Sequence, residues 1–192
     1  MTAAFRHRLA FALKRLLKDR SGVGAVEFAM LVPILLMLYI CAFEVTMGLS
    51  VAKRATRATG TIADIVTQNK KVTKTYLDTM PSVVDAIFPP YPVNNLTLKI
   101  TGVTLDAAGL AKVAWSWQKD GNAPYAIGSL VSVPLDLQRA NSFLVRIELG
   151  VTHDFLLFMA RSLSMEPING VPINRESFFR QRYGDTIICT GC

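Results

Sequence analysis

Histidine is almost missing from this chain: only His7 and His153 occur among 192 residues, and charged residues make up just 18%. That scarcity excludes several chemistries. There is no Ser-His-Asp set, no His-Glu-x-x-His, no phosphate-binding glycine loop and no pair of acids at useful spacing. His153-Asp154 is the one adjacent acid/base pair, and with the other histidine near the N-terminus it reads as a strand-end residue. Cysteine is limited to Cys41, Cys189 and Cys192. Cys189-Thr-Gly-Cys192 would need two further ligands to hold a zinc ion, and none stands near it in sequence. No enzyme activity, metal or cofactor is expected. Long repeats and low-complexity tracts are also absent.

Basic residues are in excess, with a net charge of +7, but the excess is local. Arg6, Arg8, Lys14, Arg15, Lys18 and Arg20 face only Asp19 within the first twenty positions, and the rest of the chain is nearly balanced. No basic stripe is interleaved with aromatics, which argues against nucleic acid as a partner. In the same stretch Phe5, Leu9, Leu13, Leu16 and Leu17 recur at three- and four-residue spacing. Two readings stand, a short helix lying on anionic lipid and a disordered basic leader.

What the chain has in plenty is apolar sequence, at 51% hydrophobic residues and a mean hydropathy of +0.34. Phe28–Ala52 contains one charge, Glu44, and exceeds the ~20 residues a helix needs to cross a bilayer core. The run is too long for the apolar core of a secretory signal, and no clear Ala-x-Ala follows it. Pro33 bends such a helix without ending it, and Cys41 reads as an apolar filler. The basic cluster ahead of the span holds the N-terminus in the cytoplasm and sends the C-terminal part across. Glu44 is expected to pair with a partner subunit or to reach the outer interface, with Lys53, Arg54 and Arg57 marking that interface.

A carboxylate at the edge of the span, Glu27, calls for a reason, because an ionised side chain in hydrocarbon costs about 2.5–3.5 kcal/mol or more. Gly22-Val-Gly-Ala-Val-Glu-Phe28 resembles the processing site of type IV prepilins. Arg-x-Gly-x-x-Ala-Val-Glu-Phe-Ala is similar to the TadE/TadG-like pseudopilins of the tight-adherence (Tad) pilus. Gly109-Leu-Ala-Lys-Val-Ala-Trp-Ser116 and Arg182-Tyr-Gly-Asp-Thr-Ile-Ile-Cys189 resemble later parts of the same family. The leader is long compared with some prepilin leaders. The resemblance implies that a prepilin peptidase cuts between Gly22 and Val23, that Glu27 and Phe28 act in assembly, and that the chain is a minor pilin serving pilus assembly or its tip in surface adhesion. Implied partners are other Tad pilins and pseudopilins, the prepilin peptidase, the inner-membrane assembly platform and the lipid bilayer. The implied location is the bacterial inner membrane, single-pass, with a periplasmic C-terminal domain. After cleavage the new Val23 amine, with a reference pKa of about 7.7–8.0, would need an anion, and Glu27 lies one helical turn on. An uncleaved, membrane-anchored envelope binding protein is the alternative. A thiol-disulfide enzyme using Cys189 and Cys192 is a third reading.

The expected fold class is α+β: a long N-terminal transmembrane pilin-like helix packed on a small antiparallel sheet. The organisation reads as a basic cytoplasmic leader (1–22), a transmembrane helix (23–52), a helical stem with a second helix (53–92) and a β-rich extracytoplasmic domain (93–192). A helix is expected over 24–68, with Ile62, Ile65 and Val66 as its apolar stripe, and another over Thr73–Phe88 interrupted at Met80-Pro81. Period-two alternation predicts strands over Leu96–Leu105, Ala111–Trp117, Val131–Leu137, Phe143–His153 and Asp185–Cys189. Trp115 and Trp117 share a strand face and are expected to cover the helix. Phe155–Met159 forms an apolar patch, and Cys189 and Cys192 form a possible disulfide in an oxidising compartment.

Overall fold

The computed structural model describes residues 22–154 and 170–192. The amphipathic stretch before Gly22 and the apolar patch Phe155–Met159 lie outside the described residues. The chain falls into two compact units that meet at Val45 and Thr46.

One helix, α1 (Val23–Thr67), spans 45 residues and is ~67 Å long at 1.5 Å per residue. It passes through Pro33 and Gly60 without a break. In the first unit almost every side chain of α1 is exposed. An 18-residue window there has a hydropathy of 2.3 and no buried residue, which fits a single-pass membrane anchor by length and composition. Glu44 is the one buried residue among the described residues of that unit. It is only 8% exposed, and neither carboxylate oxygen has a hydrogen-bond partner among the described residues.

In the second unit α1 acquires a buried stripe. Val51, Ala55, Ala58, Ile62 and Val66 recur at three- and four-residue spacing and are all buried, while Ile65 is half-buried. Alanine at 55, 58 and 63 lets the helix approach the sheet closely. Burying a side chain such as Ile62 contributes about 1.5–3 kcal/mol. The second helical stretch divides near Pro81, into α2 (Lys74–Leu77) and α3 (Met80–Ile87). Thr73 caps α2 by accepting from the Tyr76 amide at 3.1 Å.

The sheet has four antiparallel strands, β2 (Asn94–Leu105), β3 (Ala111–Gln118), β4 (Ser142–His153) and β5 (Val171–Arg180), in the order β3-β2-β4-β5. Leu98 and Ile100 of β2 and Phe143, Val145, Ile147, Leu149 and Val151 of β4 share the core with α1. The fold is therefore α+β, a long apolar helix with a small antiparallel sheet.

Three details differ from simple alternation. First, β3 carries a bulge: Gly102 pairs with Trp115 but Val103 pairs with Val113, leaving Ala114 as the extra residue. Trp115 and Trp117 consequently join the core with α1, while Ala111 packs with Val103, Leu105 and Leu144 in a second, smaller cluster. Second, 131–137 is not a strand. It touches the β3 edge through a bridge at Leu130, then turns through a short 3-10 helix at Leu135–Leu137. Pro134 cannot donate to a ladder, and Val131, Val133 and Leu137 instead cover the second cluster. Third, the C-terminal strand is shorter than expected. β6 (Ile188–Thr190) pairs in parallel with β1 (Lys71–Thr73), not with the main sheet.

Candidate functional site

The candidate residues near the N-terminus sit where α1 begins. The Val26 amide donates to the Gly22 carbonyl at 3.1 Å, so Gly22 closes the first turn from just outside the helix. Among the described residues, nothing beyond the helix's own backbone lies within 4 Å of a side chain added at Gly22 or Gly24. The glycines leave the backbone open to an approaching partner. Val23 and Glu27 are four residues apart, which places them on one face a single turn apart. Phe28 is 64% exposed, and Val23 and Val26 are exposed with it.

Cys189 lies in β6 and Cys192 two residues beyond the strand. They are joined as a disulfide with Cα atoms 5.8 Å apart, within the span that a bridge needs. Neither cysteine stands at a helix N-terminus, the setting that depresses a thiol pKa. Both half-buried sulfur-bearing residues pack against the main core. His153 closes β4 and is buried. Asp154 accepts a hydrogen bond from Asn94 Nδ2 at 2.7 Å.

A polar network on the outer face of the sheet, the face away from α1, was not legible beforehand. Glu148 accepts from the Tyr125 hydroxyl at 3.0 and 2.9 Å, and Arg146 reaches Glu148 at 3.2 Å and Glu176 at 2.6 Å. The Arg146 guanidinium lies 5.3 Å from the Tyr125 ring centre and 5.9 Å from that of Phe178, with Lys99 5.4 Å from Tyr125. Burial, then the hydrogen bond and charge of Glu148, push the Tyr125 phenol above its ordinary value. Beside this network, Thr97, Lys99, Gly150, Asn174 and Glu176 line a cavity of about 470 Å³. Only the alternation of Arg146 and Glu148 with apolar neighbours hinted at a polar face. Its remaining members come from distant segments. Among the described residues no cluster of three or more His, Cys, Asp or Glu is arranged to hold a metal ion.

A long apolar N-terminal helix and a small antiparallel sheet define an α+β protein whose helix fits a single-pass membrane anchor. Residues 22–64 match the family described as TadE-like protein, and the resemblance read from the start of the span is borne out over that stretch. A TadE-like segment points to a Tad pilus-associated protein. No curated protein and no solved structure matches the chain.

Proposed function

We propose that this protein is a minor pilin of a Tad-type pilus, matured by prepilin peptidase cleavage after Gly22 and acting in assembly or at the tip. The observation that carries the reading is the opening of α1. Gly22 has no side chain or distant backbone close to it among the described residues, and Val23, Glu27 and Phe28 follow it on the first exposed turns, at the start of the matched segment. Cleavage creates an ammonium on Val23, which is costly at a membrane edge unless an anion lies close. Glu27 of the same chain is one turn away, and Glu27 of a neighbouring stem can replace it. Exchange of one partner for the other sets the axial register between stems and draws the carboxylate out of lipid.

The leader stays in the cytoplasm, and the sheet lies on the periplasmic side. There the Cys189–Cys192 pair is held oxidised. Partners are other pilins and pseudopilins, the peptidase and the inner-membrane assembly platform. Intact mass of the protein from the membrane fraction tests the reading. Loss of residues 1–22 supports it, whereas a full-length chain leaves an anchored envelope binding protein in its place.

A further inference from the structure

We propose that the groove between α1 and α3 binds the phosphate of an anionic phospholipid headgroup, of the phosphatidylglycerol type. The groove has a volume of about 630 Å³. Arg54, Arg57, Thr61 and Ser82 supply its polar rim, and Val83, Ala86 and Ile87 its apolar wall.

The two arginines are one turn apart and differ in a useful way. Arg54 is fixed: its Nη1 donates to the Ile87 carbonyl at 2.6 Å, and its guanidinium lies 5.3 Å from the centre of the Tyr91 ring. Those contacts engage one N–H and leave others for a ligand. Arg57 is exposed and has no ion pair among the described residues. Among the described residues no carboxylate lines the groove, although the exposed Asp85 stands on α3 next to Ala86. On the neighbouring elements Asp64 is engaged by Arg182, and Asp78 by Trp117. Two guanidinium forks in a lining that holds no described carboxylate match a phosphate, which accepts paired N–H bonds from each. The exposed Ser82 hydroxyl adds a donor for a third oxygen.

Position on the helix selects lipid as the source of that phosphate. The apolar run ends at Ala52, and Arg54 follows two residues later on the same helix, ~3 Å along the axis. A groove that is cationic on one side and apolar on the other suits a headgroup with the glycerol and the start of an acyl chain. Lys53, exposed beside it, disfavours headgroups that carry an amine and favours those with net negative charge. The inference requires membrane insertion but not leader cleavage.

The test uses the full chain in mixed phosphatidylcholine–phosphatidylglycerol nanodiscs, followed by release into detergent and native mass spectrometry. The expected result is retention of phosphatidylglycerol over phosphatidylcholine. Arg57→Gln should lower that retention roughly tenfold, as loss of a charge-assisted paired contact implies. Arg57→Lys should give an intermediate value, and Lys119→Gln, in the turn after β3, no change. Equal retention of both lipids, or unchanged retention in Arg57→Gln, overturns the proposal. So does binding of inorganic phosphate in detergent without any preference for phosphatidylglycerol, which would make this a soluble-anion site. Lipid-free dimers lost in Arg57→Gln would assign the groove to a second copy and also overturn it. The same spectra report whether residues 1–22 are present, so the lipid and cleavage proposals fail separately.

Discussion

The indole Nε1 of Trp117 donates to Oδ1 of Asp78 at 2.9 Å, tying β3 to the residue that follows α2. Trp117 is 2% exposed, so its N–H has little access to water if the acceptor is removed. Asp78→Ala should destabilise the folded chain by about 1–3 kcal/mol, the cost of a buried donor left unpaired. Denaturant unfolding followed by tryptophan fluorescence measures it. An unchanged midpoint would show that the bond contributes nothing.

Gly102 is occupied by its neighbours. A Cβ there would run into the Trp115 indole, and into the Phe143 ring edge at 2.8 Å. Gly102→Ala should therefore cost about 1–3 kcal/mol through overpacking. Gly60→Ala meets nothing within 4 Å among the described residues and should instead raise stability by a few tenths to about 1 kcal/mol, through helix propensity. The pair of midpoints, one falling and one rising, checks both placements.

Tyr125 should ionise above 10.0, because burial and Glu148 both favour the neutral phenol. The sign follows: the folded chain holds this proton more tightly than the unfolded chain. Its contribution to stability is complete below pH 10 and is lost as pH rises through the folded-state pKa. Difference absorbance titration against Tyr125→Phe reads the phenol directly. In Glu148→Gln the transition should move back down towards 10.

At the proposed processing site, Gly22→Ala should slow leader removal, since it places a methyl group where a peptidase must meet the backbone. Glu27→Ala should leave cleavage largely intact and reduce incorporation into pili. Immunoblots of membrane and sheared-pilus fractions separate the two effects. Equal incorporation of Glu27→Ala would refute the pairing of amine and carboxylate.

Much of the fold was readable because its signals are local. The helix ending at Thr67, the break near Pro81 and the strands β2 and β4 each have their pattern in consecutive residues. β5 escaped because its apolar residues do not alternate cleanly: Pro172, Arg175 and Glu176 interrupt it, and half of its residues are exposed at the sheet edge. The segment 131–137 misled for the opposite reason, alternating well while Pro134 withheld a donor and Leu135 pointed out at 83% exposure. Pairing of β6 with β1 joins residues more than a hundred positions apart, and neither short strand announces its partner. The same division holds for the sites. Gly22, Val23, Glu27 and Phe28 are contiguous enough to form a motif, whereas Tyr125, Arg146, Glu148 and Glu176 meet only after the strands have paired.

The unpaired residue at Ala114 gives β3 a frameshift in sidedness. Upstream of it, Ala111 belongs to the small cluster and Val113 pairs with that cluster's Val103; downstream, odd-numbered side chains are the two indoles in the core with the helix. Pairing β3 residue for residue with Ala114 kept in the ladder would impose uniform sidedness and, with it, force a choice. Either both tryptophans turn outward into water, or the hairpin tip loses its own apolar cover.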